Sequence, residues 1–334
     1  MDALRHESDP PPTAHGTTGQ GEVNTPTPNL GAPHPGAPDG AGPVNGGAIA
    51  VAGADAAPAA TTRRRGYGLT FWLAVGWLVT VVICAIFADL LPVKDPLAPD
   101  VINKLALPGP EHWLGTDGLG RDTLARLVHG ARVSVTISVT AVAIGMVVGG
   151  FIGIVSGFFR GKTETVLMTI INIILAFPAL VLLLVLLAFV GRSLVVISLI
   201  VGFLSIPIYT RVARATTLAV AEREFVRAAR TMGAKNSRVL AREILPNVVL
   251  PVAAFGLVAM GVVIVLEGTL AFLGLSVQQP TPTWGGMIFD GKRYLSEAPY
   301  VVLIPSLAMF LTVLSLNLVG DALRTRFDVR GSNL

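Results

Sequence analysis

The chain has 334 residues and is 52% hydrophobic but only 14% charged, with a mean hydropathy of +0.67. A soluble domain usually carries about 25% charged residues, so this composition indicates that lipid surrounds much of the protein. The single cysteine, Cys84, excludes an internal disulfide and disfavours a thiolate metal cluster. The net charge of +4 would suit nucleic acid or anionic lipid, but the positions of the basic residues favour membrane topology and no nucleic-acid partner.

Residues 1–66 form the first predicted region, and most of it is rich in Pro, Gly, Ala and Thr. Without apolar periodicity such a stretch cannot bury enough surface to offset its ordering entropy, so we expect a disordered cytoplasmic tail. A secretory signal is not expected, because its apolar core should begin within about the first 15–30 residues.

Six long apolar runs follow within residues 67–330. The length of each run is close to or above the roughly 20 residues that a membrane-spanning helix needs. They cover residues 69–88, 133–159, 165–190, 193–210, 248–275 and 298–320. The only charged residue in them is Glu267, in the fifth run. We therefore predict an all-α membrane protein with six transmembrane helices.

The basic residues predict the orientation of these spans. An even number of spans places both termini on one side, and Lys and Arg accumulate in short cytoplasmic loops. With the termini inside, 17 of the 25 Lys and Arg residues lie on the cytoplasmic side and 8 lie outside. We expect cytoplasmic termini, outer loops at residues 89–132 and 276–297, and a cytoplasmic loop at residues 211–247.

A tight turn is predicted in the first outer loop, where three glycines alternate with aspartates. These residues are Gly115, Asp117, Gly118, Gly120 and Asp122. They are typical of a turn that caps a helix from Arg121 to about His129, and we expect that helix to lie along the outer membrane surface. A calcium site is disfavoured, since further acidic positions of an EF-hand are missing.

The cytoplasmic loop carries a helical pattern at residues 222–232. Four apolar residues fall at i, i+3, i+4 and i+7, which predicts one exposed face: Phe225, Ala228, Ala229 and Met232. Gly233 can end this helix, and Asn236 or Ser237 can cap a second short helix that Pro246 stops. On periodicity alone, a helix resting on anionic lipid is as well supported as a docking surface for a protein.

Three positions inside the spans have two interpretations each. An ionisable group in the membrane costs on the order of 2.5–3.5 kcal/mol, so Glu267 should either belong to the translocation route or hydrogen-bond between helices. Pro178 and Pro207 interrupt spans three and four, where a kink could shape a pathway or aid packing. The second span also contains glycines spaced for close helix contact: Gly145, Gly149, Gly150, Gly153 and Gly157.

Other function classes find little support. Residues 157–163 approach a phosphate-binding loop, but the first glycine is one residue too close and no strand precedes it. We find no nucleotide site and no nucleophile–base pair, so we expect no catalytic residue, metal or cofactor in this chain. An ion-coupled secondary transporter usually carries midplane ionisable residues and inverted repeats, whereas this chain has one off-centre glutamate and no evident repeat.

The cytoplasmic loop resembles the "EAA" loop of bacterial ABC-import permeases, through residues 224–234 and then 244–247. In that family the loop forms the coupling helix that fits a groove on the ATPase subunit. The resemblance gives this role to a set of residues in this chain: Glu224, Phe225, Arg227, Ala228, Ala229, Met232, Gly233 and Pro246. Arg227 stands where the family has its glutamate, so no contact of that glutamate is carried over.

Three further stretches, residues 113–122, 272–285 and 317–324, resemble the C-type permease of the dipeptide, oligopeptide and nickel branch. The resemblance implies a type I importer permease in the bacterial cytoplasmic membrane. It also implies a second homologous permease, two ATPase subunits that bind ATP and Mg, and an extracytoplasmic substrate-binding protein. Di- or oligopeptides are the expected substrates, with nickel complexes, haem or other small solutes as alternatives.

Overall fold

The computed structural model of the protein describes residues 68–332, with side chains through residue 326. The predicted tail at residues 1–66 lies outside the described residues. The described part is helical, because a backbone in lipid must satisfy its polar groups within the segment. Its helices are α1 (Leu69–Phe87), α2 (Thr123–Ile144), α3 (Gly150–Phe159), α4 (Gly161–Leu175), α5 (Ala179–Val190), α6 (Leu194–Ala221), α7 (Glu224–Thr231), α8 (Asn236–Arg238), α9 (Leu245–Phe272), α10 (Trp284–Gly291) and α11 (Tyr300–Ser332).

Five described helical stretches are long and apolar enough to cross a membrane. They are Leu69–Phe87, Thr123–Phe159, Leu194–Ala221, Asn236–Phe272 and Tyr300–Arg326. A sixth span results if α4 and α5, which are bent by 78° relative to each other, count as one. The prediction of an all-α membrane protein with six apolar segments is confirmed, and the third segment is this bent pair.

The helix predicted to lie along the membrane surface from Arg121 to His129 is instead the beginning of the second span. The span runs without interruption from Thr123 to Phe159, through a π-helical turn at Gly145–Gly149. The prediction of a separate surface helix is therefore wrong. Its apolar side packs into the bundle, where Trp284 Nε1 donates a hydrogen bond of 3.0 Å to the Leu127 carbonyl.

The predicted turn ahead of this helix is present. The Asp122 side chain caps α2 by accepting a 2.8 Å hydrogen bond from the Ala125 amide. Gly115 and Gly120 have φ angles of +74° and +77°, which side-chain-bearing residues rarely adopt. The glycines and aspartates of this segment therefore act together as a helix start.

Helix α6 is central to the bundle and packs against α2, α3 and α9. Four of the five glycines named in the second span lie against it, Gly145, Gly149, Gly153 and Gly157, whereas Gly150 does not. A Cβ atom on Gly153 would lie 2.5 Å from the Thr210 carbonyl oxygen, and one on Gly145 would lie 2.5 Å from the Tyr209 ring. Only glycine permits this separation between the helices.

The two ends of the bundle differ in what they carry. At one end, which we call the hairpin end, α3 and α6 finish and residues 222–244 connect α6 to α9. At the other end, which we call the loop end, α2 begins, α9 finishes and α10 lies between them. Tyr300 at the start of α11 donates a 2.9 Å hydrogen bond to the Ala106 carbonyl and ties the first loop to this end.

Replacing Gly153 by alanine is expected to destabilise the bundle, since its methyl group would also lie 2.9 Å from the Arg214 amide nitrogen. Overpacking of this kind costs about 1–3 kcal/mol. Gly150 is the matched control, because a Cβ atom there meets nothing within 4 Å. Thermal unfolding of the detergent-solubilised chain should show Gly153→Ala melting below the wild type and Gly150→Ala at or above it. Equal melting of the two variants would contradict this packing.

Candidate functional site

The hairpin at residues 222–244 begins with α7, and its end is set by one glycine. Gly233 has a φ of +79°, and its amide donates a 3.0 Å hydrogen bond to the Arg230 carbonyl. The Ala234 amide then reaches the Ala229 carbonyl at 3.1 Å. A Cβ atom on Gly233 would meet nothing within 4 Å, so the backbone conformation alone requires glycine here.

The inner face of α7 packs on the bundle through Val226 and Ala229. Both are buried in a cluster that includes Val239, Ile244 and Val248 at the start of the next helix. The prediction that Ala229 shares the exposed face is wrong. Burial of Val226 turns the position three residues later inward, because residues three apart share one side of a helix.

The outer side of the hairpin presents a surface with little cover from the rest of the chain. Phe225 is 37% exposed and Met232 is 80% exposed, while Arg227 and Ala228 are also exposed. We call these four residues the hairpin face. The Arg227 guanidinium has no ion-pair partner among the described residues, and Glu224 lies exposed at the first position of α7.

Two contacts attach the hairpin to the membrane helices. The Arg230 guanidinium lies over the Phe158 ring at the end of α3, 5.3 Å from its centroid. Arg160, which follows α3, forms a 3.1 Å ion pair with Glu222 just before α7. The hairpin is therefore joined to α3 as well as to α6 and α9.

The second arm of the hairpin does not stop at Pro246, contrary to the prediction. Helix runs from Asn236 to Phe272, with a π-helical turn at Val239–Ile244 that ends two residues before the proline. The wider turn accommodates the missing N–H of Pro246, and Asn247 Nδ2 donates a 2.6 Å hydrogen bond to the Glu243 carbonyl. Asn236 is the first helical residue and no side chain caps this helix, so the predicted cap is also wrong.

Glu267 lies near the loop end of α9 and is only 1% exposed. The Ser276 hydroxyl donates to its Oε1 at 2.6 Å, and the Ser134 hydroxyl of α2 donates to its Oε2 at 3.3 Å. Of the two interpretations, the structure supports the interhelical polar contact. Both carboxylate oxygens have partners within this chain.

The two prolines differ in effect. Pro178 lies in the break between α4 and α5 and is exposed, as expected for a residue that lacks the N–H to continue a helix. Pro207 is buried inside α6, which continues across it to Ala221. Of these two prolines, only Pro178 therefore interrupts a helix. The prediction that Pro207 interrupts its span is wrong.

A buried charge cluster at the loop end escaped the sequence analysis. Asp117, Arg121 and Arg126 from the start of the second span lie together with Asp290 of α10. Asp290 is far from the other three residues in the chain, so no local spacing connects it to them. The available signal was Arg126 itself, a charge inside the first two turns of α2.

Comparison with known proteins places the chain in a family. The profile of the family described as "Binding-protein-dependent transport system inner membrane component" matches residues 149–331. In the structural comparison, the inward-facing MetNI methionine ABC transporter has a TM-score of 0.49 at 18% identity, covering 61% of this chain and 97% of that one.

Two relatives align over most of their length. The dipeptide transport system permease protein DppC of Alkalihalophilus pseudofirmus is 34% identical over 251 residues, which cover 75% of this chain and 83% of that protein. The glutathione transport system permease protein GsiD of Pectobacterium atrosepticum is 37% identical over 221 residues, covering 66% of this chain and 73% of that protein. This chain therefore belongs to the family of binding-protein-dependent transport system inner membrane components.

Proposed function

We propose that this chain is one of two permease subunits of an ATP-driven importer for dipeptides or related short peptides such as glutathione. The observation that carries the proposal is the hairpin face, an exposed surface on a helical hairpin that continues directly into α9. Family membership and the relatives' names support the substrate class. In this arrangement two ATPase subunits bind ATP and Mg, and a substrate-binding protein delivers the peptide.

The proposed orientation puts the hairpin end in the cytoplasm, where the ATPase subunits are. The excess of Lys and Arg at residues 211–242 supports this orientation. The loop end would then face the substrate-binding protein, and the peptide would pass between this chain and the second permease.

The geometry of the hairpin suggests how force would pass from the ATPase to the membrane. Because the helix is continuous from Asn236 to Phe272, a displacement of the hairpin would also move the part of the fifth span at the hairpin end. The Arg230–Phe158 contact couples the same displacement to α3. ATP-driven closure of the ATPase pair would therefore tilt α3 and α9 together.

The hairpin face also suggests what the ATPase groove should offer. Ala228 permits close approach of the partner backbone, and the flanking Phe225 and Met232 side chains can fill apolar depressions. Arg227 needs an acceptor, so we expect an acidic side chain or a backbone carbonyl on the ATPase opposite it.

Replacing Ala228 by tryptophan should abolish association with the ATPase, because the large ring prevents close approach of the groove. Tagged chain co-expressed with its ATPase should retain less than about a tenth of the ATPase on purification, since a loss above about 1.4 kcal/mol lowers affinity more than tenfold. Ala219→Trp is the control, as Ala219 is an exposed alanine of α6 outside the hairpin face. Normal assembly of Ala228→Trp, with membrane insertion unchanged, would refute docking at this face.

Gly233→Pro should have the same effect for a different reason. Proline cannot adopt the φ of +79° found at residue 233, so the hairpin would lose its turn. The amount of chain in the membrane fraction should stay constant while the co-purified ATPase decreases. Ala229→Trp would be a poor choice, because Ala229 is buried and its replacement would disrupt the hairpin itself.

Uptake by the reconstituted transporter tests the function directly. Proteoliposomes that contain the chain, the second permease, both ATPases and the binding protein should take up labelled Ala–Ala only with hydrolysable ATP. Unlabelled glutathione should compete, whereas nickel complexes and haem should not. Uptake that persists without the ATPases would overturn the proposal.

Glu267→Gln should leave uptake within about threefold of the wild type, because an amide can keep partners at Ser134 and Ser276. Glu267→Leu leaves both hydroxyls unpaired in a buried site and should lower stability by about 1–3 kcal/mol. Melting temperature and uptake rate, measured on the same preparations, separate a loss of stability from a loss of transport. A Glu267→Gln variant that melts normally but does not transport would place the carboxylate on the translocation route.

A further inference from the structure

A polar groove opens at the loop end of the bundle. Two clefts of about 160 and 210 Å³ adjoin there, and three residues line both of them: Arg126, Gln279 and Asp290. The first cleft lies between the start of the second span and α10, and the second lies beside residues 276–283. The shared lining makes them one continuous groove.

Arginines outnumber carboxylates along this groove. Its charged lining consists of Arg121, Arg126, Arg192 and Arg293 against Asp117 and Asp290. Two of the arginines are buried, with Arg121 5% and Arg126 2% exposed. A buried cation is expensive unless short hydrogen bonds satisfy its donors, so the partners of these two side chains decide what the groove can bind.

Asp117 is fully engaged by its own turn and by Arg121. Its Oδ1 accepts hydrogen bonds from the amides of Leu119 at 2.8 Å and Arg121 at 3.0 Å, and its Oδ2 accepts from Arg121 Nε at 2.8 Å. This carboxylate therefore accepts from Nε of Arg121 and holds the loop. Little of its capacity is left for a second guanidinium.

Arg126 lacks a comparable partner within the described part of the chain. Its Nε is 3.4 Å from Asp117 Oδ2, its Nη1 is 3.4 Å from the Pro96 carbonyl, and its Nη2 is 3.9 Å from Asp290 Oδ2. Charge-assisted hydrogen bonds of this type usually measure about 2.7–2.9 Å. Asp290 instead accepts from Gln279 Nε2, at 2.7 and 3.0 Å. The guanidinium of Arg126 thus faces the groove with donors available.

A second side chain in the same place has no partner at all among the described residues. The Thr123 hydroxyl is buried and makes no hydrogen bond there, although Thr123 lines the first cleft. Thr123 and Arg126 are three residues apart on α2 and therefore share one side of the helix. An unsatisfied buried hydroxyl is destabilising, and a ligand that accepts a hydrogen bond from it removes this cost.

We propose that this groove binds the carboxylate of a small solute, with the Arg126 guanidinium and the Thr123 hydroxyl as its donors. A planar carboxylate can accept two parallel N–H hydrogen bonds from a guanidinium. No acceptor among the described residues forms this pair of bonds with Arg126. The ammonium group of a short peptide would find Asp290 in the same groove. Carboxylate binding stands by itself, and only the identification of the ligand as the transported peptide rests on the proposed function.

Binding to the isolated full-length chain in nanodiscs tests this inference. Isothermal titration should detect Ala–Ala but not its C-terminal amide, which lacks the carboxylate. Arg126→Gln should weaken Ala–Ala binding by about tenfold or more, as expected for the loss of hydrogen bonds to a charged group. Arg132→Gln is the matched control, since Arg132 lies on the same helix but pairs with Asp89 outside the groove.

Thr123→Val keeps the test valid if Arg126→Gln does not fold. Valine has the same shape as threonine, so removal of the unpartnered hydroxyl should leave melting unchanged or raised. Ala–Ala binding should nevertheless weaken by about three- to tenfold.

The outcomes separate this site from the importer function. Wild-type chain that binds Ala–Ala and its amide equally, or binds neither, overturns the inference. So does a Thr123→Val variant with unchanged affinity. The titration contains no ATPase, second permease or binding protein. A failure of ATP-driven uptake would therefore not contradict carboxylate binding by this chain, and normal uptake would not support it if the titration fails.

Discussion

The close contact between the second span and α6 is the constraint on which both ends of the molecule depend. It requires glycine along one side of the second span, since a Cβ atom at Gly145 or Gly153 would overlap α6. Lipid provides little hydrophobic drive for helices to associate, so close van der Waals packing must hold them. The same span begins at the polar groove with Thr123 and ends beside the hairpin at Phe159. The packing of the second span against α6 therefore determines where both the polar groove and the hairpin lie.

Helix continuity transmits this arrangement to the hairpin. A proline at residue 246 would normally end a helix, yet the helix continues past it after a π-helical turn, and Asn247 Nδ2 donates to the Glu243 carbonyl. The energetic reason is burial, because Val239, Ile244 and Val248 enter the core only if the helix continues. Burial of these side chains outweighs the loss of one backbone hydrogen bond. The hairpin is thus a rigid extension of a membrane helix rather than a loose loop.

The elements that the sequence predicts well are those set by local chemistry. Apolar length predicts the spans, and the positive φ at Gly233 and the cap at Asp122 follow from residue types with few alternatives. The wrong predictions concern direction and extent. Ala229 turns inward because Val226 has the larger apolar surface to bury, and nothing in the i, i+3, i+4 spacing weighs those two positions against each other. The 78° bend between α4 and α5 also depends on neighbouring helices, so Pro178 indicated a break but not its angle.

The two buried polar sites at the loop end differ in how completely they are satisfied, and this difference separates structure from binding. Glu267 has hydroxyl donors on both oxygens, so its burial needs no further group. Arg126 is as deeply buried, but within the described residues it has no hydrogen bond or ion pair shorter than 3.4 Å. Sequence reasoning found the first because a charge stood alone in an apolar run, and missed the second because Asp290 and Gln279 reach it only through the fold. A buried cation with unpaired donors destabilises the folded protein, and an anion bound in the adjacent groove can offset this cost. That imbalance is the reason to assign binding to Arg126 and packing to Glu267.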